Sequence, residues 1–303
     1  MNDITPHAAE IVAAHAGRFG TVMPPPVQFR SEHPVYRAAK LACMTLGFID
    51  ADAECLACAW HAQSVRTGRF DARAWPDAPA DFGMGAFPPG ARSDAFAPCP
   101  ERLGLYAVLP DAAWVGRMAR AGVPTVQLRF KSADAGAIDR EVAAAVQAVQ
   151  GTGARLFIND HWRAAIAAGA YGVHLGQEDL EALAPDDLRR IRAAGLRLGV
   201  STHGYAEMVR ADTVSPSYIA MGAVFPTTLK QMATAPQGVA RLDAYARLLR
   251  GYPQVAIGGI DAERLPAVLA TGVGSAAMVR ALIAADDPEA MAARLNAAIA
   301  AAH

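Results

Sequence analysis

The sequence predicts a (β/α)8 barrel preceded by a mainly helical N-terminal extension. Three observations predict it. From residue 103 onward, eight short apolar runs alternate with segments of helical apolar spacing. Runs such as Leu156-Phe157-Ile158 and Val255-Ala256-Ile257 are apolar at consecutive positions, which suits parallel strands buried on both faces. Polar residues stand just past the ends of several runs, and a barrel gathers those ends on one rim. An open doubly wound sheet uses the same units, but here the repeat reaches eight without a long interruption.

In chain order, residues 1–73 read as a helical extension, with Ala-rich segments at 8–16 and 36–48 and a helical run at 53–64. Over 74–100 the composition changes. Pro76, Pro79, Pro88, Pro89, Pro98 and Pro100 interleave with Gly83, Gly85 and Gly90, marking a linker or an irregular wrapping segment. The barrel takes 101–303. Its strands are expected at 103–109, 125–130, 155–159, 172–175, 197–200, 218–225, 254–257 and 275–279. The helices between and after them are expected at 111–121, 134–151, 161–168, 185–194, 204–211, 241–250, 261–271 and 288–301.

Hydrophobic residues make up 53% and charged residues 19% of the 303, within the globular range. A net charge of −1 gives no reason to expect a nucleic acid or a membrane surface as partner. No apolar stretch approaches the ~20 residues that span a bilayer, and the first residues lack the pattern of a secretory signal. A cytoplasmic location is the default expectation. The four cysteines, Cys43, Cys55, Cys58 and Cys99, all precede the barrel. Cys55 and Cys58 resemble half of a metal site, but on a helix they read better as small buried apolar residues.

The strand ends carry the chemistry. Gln127, Arg129 and Lys131 alternate with Leu128 and Phe130, so period two points the three polar side chains one way, toward the barrel mouth. Arg129 offers a planar fork for phosphate oxygens and Lys131 a compact charge. Asn159-Asp160-His161 closes the third strand, where an aspartate serves as an oxygen ligand for Mg²⁺ or as a helix cap. After strand four, Glu178 and Asp179 are alternative second carboxylates. Ser201 can hydrogen-bond a polar heterocycle, and His203 is either catalytic or a structural partner opening a helix. Lys230 stands to meet an anion, Thr227 and Thr228 bring hydroxyls, and the long loop over 226–240 can close over substrate. Gly258-Gly259 before a helix, with Arg280 at the end of strand eight, suits a phosphate site.

In combination, QLRFK at 127–131, ND at 159–160, HLGQED at 174–179, GVSTH at 199–203, FPTTLK at 225–230 and AIGGI at 256–260 resemble the thiamine-phosphate synthase family. The resemblance covers about 103–300 and implies a transferase of thiamine biosynthesis with Mg²⁺ as cofactor. It implies that Gln127, Arg129, Lys131, Asn159, Ser201 and Lys230 hold 4-amino-5-hydroxymethyl-2-methylpyrimidine diphosphate. Leu128 and Phe130 come with that motif. Asp160 and Asp179 hold the metal, the family's spacing favouring Asp179 over Glu178. Thr227, Thr228, Leu229, Gly259, Val279 and Arg280 receive 4-methyl-5-(2-hydroxyethyl)thiazole phosphate. Arg129, Lys131, Ser201 and Lys230 are the residues expected to act in catalysis. The chain departs from the family at Leu229, where a threonine is usual, and at Arg280, often a serine. The rivals are a thiazole tautomerase of the same superfamily and a non-catalytic sensor of thiamine precursors. The first hundred residues lie outside the resemblance. Their helical spacing suits an oligomerisation arm, a regulatory module or the remnant of a fused enzyme, and a homo-oligomer is compatible with all of this.

Overall fold

Parallel pairing of the successive apolar runs closes the sheet on itself. The computed structural model describes residues 6–85, 89–227 and 235–302. Three helices come first: α1 (Pro6–Phe19), α2 (Pro34–Thr45) and α3 (Asp50–Thr67). The barrel strands are β1 (Gly104–Leu109), β2 (Thr125–Leu128), β3 (Arg155–Asn159), β4 (Gly172–Leu175), β5 (Arg197–Thr202), β6 (Tyr218–Met221), β7 (Gln254–Ile257) and β8 (Ser275–Met278). After β1 to β3 come α4 (Ala112–Arg120), α5 (Ala135–Ala148) and α6 (Trp162–Ala168). After β4 come α7 (Gln177–Ala182) and α8 (Pro185–Ala193), and after β5 to β7 come α9 (Tyr205–Asp212), α10 (Gly238–Leu248) and α11 (Leu265–Leu269). The short α12 (Arg280–Ile283) and then α13 (Pro288–Ala301) follow β8. The strand order is β1 to β8 in sequence, and Gly104 opposite Ser275 closes the ring.

Period-two alternation sorts the strand side chains into two cores. Leu105, Ala107, Leu109, Val126, Leu156 and Ile158 face outward beneath the helices. Tyr106, Val108, Phe157, Tyr218, Val255 and Ala277 fill the interior. The interior rings need room. A Cβ on Gly199 would come within 2.1 Å of the Tyr218 ring, and one on Gly172 within 2.5 Å of Phe157. Helix starts follow local chemistry: Asp111, Asp134 and Asp287 accept from Trp114, Gly136 and Ala290 amides at 2.8, 2.8 and 2.9 Å.

Some boundaries differ from the sequence expectation. Strand six, expected to reach 225, ends at Met221, because the chain then turns to lie against Gly258 and Gly259. The helix after β7, expected over 261–271, spans only Leu265–Leu269, because Asp261 first holds a turn through the Glu263 and Arg264 amides. The helices α7 and α12 were not anticipated. Nor is the N-terminal segment helical throughout: residues 20–33, which include Pro24, Pro25 and Pro26, run without helix.

The preceding segment shares the barrel's outer core. Ile11, Leu41, Phe48, Leu56 and Trp60 belong to the same buried cluster as Tyr205, Leu242 and Tyr245. Arg18 pairs with Asp243 at 2.5 Å, and Arg241 Nη2 donates to the Gly47 carbonyl at 2.7 Å. The described residues of 74–100 run over the barrel with only short 3-10 turns at Pro79–Phe82 and Pro89–Ala91. Arg92, partly buried, meets the buried Asp212 at 2.7 Å, and the Phe96 amide donates to the Ser215 carbonyl at 3.1 Å. The four cysteines are free thiols, and burial pushes Cys55 and Cys99 up to about 12. No helix among the described residues is long and apolar enough to cross a membrane.

Candidate active site

The C-terminal ends of the strands open into a cavity of about 830 Å³. Gln127, Arg129, Lys131, Asn159, Asp160, Asp179, Ser201, Thr227, Gly259, Val279 and Arg280 all line it. Glu178 and His203 line it too. Leu128 and Phe130 do not. Alternation turns Leu128 into the outer core, and Phe130 lies against that same core. Thr228, Leu229 and Lys230, with residues 231–234 of the same loop, lie outside the described residues.

A buried hydrogen-bond chain forms the cavity floor. Gln127 Nε2 donates to Asn159 Oδ1 at 2.9 Å, and Gln127 Oε1 accepts from the Tyr106 hydroxyl at 2.8 Å. Tyr106 and Tyr218 hydroxyls are 2.7 Å apart. Tyr218 meets His174 Nδ1 at 2.7 Å, and His174 Nε2 meets Ser201 Oγ at 2.7 Å. One end fixes the polarity. Tyr106 gives its proton to Gln127, so its oxygen accepts from Tyr218, and Tyr218 accepts from His174 Nδ1–H. In that Nδ1–H tautomer, Nε2 accepts from the Ser201 hydroxyl. Ser201 keeps its lone pairs for a donor on the ligand. Burial holds both tyrosine hydroxyls well above their usual range, so they act as neutral links. Tyr106, Tyr218 and His174 went unassigned on sequence grounds. Their only signal was a polar atom inside an otherwise apolar strand.

The carboxylates follow the ends of β3 and β4, Asp160 directly after Asn159 and Asp179 on α7. Asp160 adopts a left-handed backbone with φ 63°, which is uncommon outside glycine and tolerated best by Asp and Asn. This turn lets its amide donate to the His174 carbonyl at 3.0 Å while its carboxylate meets Lys131 Nζ at 3.3 Å. Burial raises the Asp160 pKa, and the neighbouring charge of Asp179 raises it further. Asp179 Oδ2 also accepts from the Gly176 amide at 3.2 Å. Two neighbouring carboxylates that offer oxygen donors only fit a hard divalent cation such as Mg²⁺. Among the described residues no three or more His, Cys, Asp or Glu side chains group as a ready-made metal site. An ion here would need substrate or water oxygens to complete its shell.

At the far side, Gly259 at φ 65° lies so close to the loop after β6 that a Cβ would come within 2.5 Å of the Pro226 carbonyl oxygen. Its close approach is to that loop. Arg264 Nη1 donates to the Gly259 carbonyl at 2.7 Å and adds a cation that went unassigned on sequence grounds. Arg280 opens α12, where an end of β8 was expected, and its exposed side chain borders the cavity. The expected phosphate-binding helix after β7 is the short α11, which begins five residues beyond Ile260. His203 is held by Glu207: Nδ1 lies 2.7 Å and the backbone amide 2.8 Å from the same carboxylate oxygen.

A closed parallel barrel with cations and paired carboxylates converging at its C-terminal mouth defines a (β/α)8 protein whose cavity suits anionic ligands. The family model described as thiamine monophosphate synthase matches residues 105–282, and the chain belongs to that family. A thiamine-phosphate synthase of Neisseria meningitidis serogroup B is 58% identical over 196 residues, which is 65% of this chain and 94% of that protein. One from Cronobacter sakazakii is 57% identical over 192 residues, covering 63% and 90%. Among solved structures, thiamine phosphate pyrophosphorylase from Pyrococcus furiosus superposes with a TM-score of 0.58 at 26% identity, covering 66% of this chain and 96% of that one.

Proposed function

We propose that this chain joins 4-amino-5-hydroxymethyl-2-methylpyrimidine diphosphate to 4-methyl-5-(2-hydroxyethyl)thiazole phosphate, giving thiamine monophosphate and pyrophosphate. Family membership supports the reaction. The single observation that carries the division of roles is the cavity itself, with a neutral hydrogen-bonding floor beside a wall of Arg129, Lys131, Asp160 and Asp179. The floor suits the pyrimidine, whose 4-amino group donates to Ser201. The charged wall suits its diphosphate.

Asp160 and Asp179 would hold a divalent cation, with Mg²⁺ as the best match to their oxygens. Bound there, the ion supplies charge neutralisation for the leaving diphosphate. Arg129, Lys131 and Lys230 add donors toward the same developing charge. The exocyclic C–O bond breaks and its electron pair leaves with pyrophosphate. The 4-amino group delocalises the positive charge left on the methylene, so the path is dissociative. The thiazole nitrogen then forms the C–N bond with its lone pair and needs no protein base. Thr227, Gly259, Val279 and Arg280 form the thiazole-phosphate side, to which the family motif assigns Thr228 and Leu229 as well. Excluding water protects the cation, and the 226–240 loop is assigned that task.

Removing one such contact commonly costs about 3 kcal/mol, or roughly a hundredfold in rate. Asp160→Ala and Lys230→Ala are each expected to lose at least about that much turnover while keeping the wild-type circular dichroism. Near-normal turnover by either folded variant would contradict the assignment.

A further inference from the structure

The family model begins at residue 105, so it gives the preceding residues no part in the site. We propose that Asp52, on α3 of the N-terminal extension, is a positioning residue for the active site, acting through the first turn of α9. A helix leaves its first amides without intrahelical partners. Helix α9 starts after Gly204, which has no side chain to cap it. Asp52 supplies the cap from 154 residues away, its Oδ1 accepting from the Ala206 amide at 2.9 Å. The Tyr205 amide points at the same carboxylate. Asp52 is only 3% exposed, and a Cβ on Gly204 would come within 2.1 Å of its Oδ2, so the two chain segments interlock.

The same turn is clasped by further residues that precede the barrel. Trp75 Nε1 donates to the Tyr205 hydroxyl at 2.9 Å, and the Phe82 ring stacks on Tyr205 at 5.3 Å. Immediately upstream, Ser201, Thr202 and His203 line the cavity. Thr202 is tied on its other side, its carbonyl accepting from the Gly222 amide at 3.1 Å. The backbone that presents Ser201 is therefore anchored by the sheet on one side and by Asp52 on the other. Misplacement of a contact by about 1 Å can cost up to a hundredfold in rate.

The inference rests on the proposed reaction, with the pyrimidine on Ser201. The test uses the full chain. Asp52→Ala and Asp52→Asn are purified, their folding is checked by circular dichroism, and KM is measured separately for each substrate at a temperature well below melting. Asp52→Ala is expected to raise KM for the pyrimidine diphosphate about tenfold, with KM for the thiazole phosphate within about twofold. Asp52→Asn keeps an oxygen acceptor for the amides and is expected to stay within about twofold of wild type in both. A folded Asp52→Ala with neither KM changed, or with both changed alike, overturns the proposal. Should Asp52→Ala not fold, Tyr205→Phe decides. It keeps the ring and removes only the hydroxyl that accepts from Trp75 Nε1, so at least about a twofold rise in the pyrimidine KM alone is expected, and no rise overturns the proposal. A wild-type chain that releases no pyrophosphate would instead refute the reaction itself.

Discussion

Tyr218 is the residue on which the cavity floor turns. Its hydroxyl bridges Tyr106 and His174, and through His174 it sets which way the Ser201 hydroxyl points. Tyr218→Phe leaves both neighbours short of a buried partner, a loss of about 1–3 kcal/mol. The expected result is a lower melting temperature together with a KM for the pyrimidine diphosphate raised about tenfold. An unchanged KM would show that Ser201 needs no such relay. The places of Arg129, Lys131 and Asp160 on the rim were legible in the sequence as charges just past apolar strands, whereas Asp179 was set apart from Glu178 only by the family resemblance, and both line the cavity. Tyr106 and Tyr218 were not legible, because a tyrosine within an apolar run reads as core until the strand's phase places it inside the barrel. Leu128 and Phe130 show the same limit: a motif carries neighbours whose side chains face away from the ligand.

At the scale of elements, strands and interior rings are matched in size. Gly199→Ala would drive a methyl into the Tyr218 ring, and overpacking of this kind costs about 1–3 kcal/mol. The expected outcome is a marked loss of thermal stability, and a melting temperature equal to wild type would contradict the packing described. The junction of α3 with α9 carries a pH dependence. Burial pushes the Asp52 carboxyl up to about 6, with a smaller push from Glu207, against pulls from the Ala206 amide and Arg241. A folded value above the unfolded one means that the native state holds the proton more tightly. The stability this group contributes is full below about pH 4 and is lost as pH rises through about 6. The melting temperature of wild type minus that of Asp52→Asn should therefore fall across this window, and a flat difference would contradict it. Long elements were legible because their periodicity runs over several turns. The six-residue α7 and the four-residue α12 are too short to show a period. The early end of β6 depends on Gly258 and Gly259 far along the chain.

For the whole molecule, one outer core runs from α1 to α13. The sequence suggested a boundary near residue 100 because proline and glycine there interrupt every period. It could not show that Trp75, Phe82, Arg92 and Phe96 each find a partner on the barrel. We propose that the extension and the barrel melt as one unit. Trp60 and Trp75 precede the barrel and Trp114 and Trp162 lie within it, so replacing the latter two by Phe leaves fluorescence that reports on the extension. That signal and the far-UV circular dichroism should then give coincident transitions, and two separated ones would contradict a shared core.

The central claim is that a diphosphate leaves a pyrimidine at the barrel mouth and a thiazole phosphate takes its place. Pyrophosphate release, measured with each substrate and Mg²⁺ omitted in turn, tests it most directly. Release with all three present, and loss of most of it on omitting either the pyrimidine diphosphate or the metal, is the predicted result, with thiamine monophosphate formed only when the thiazole phosphate is added. No pyrophosphate above background from the complete mixture would contradict the account.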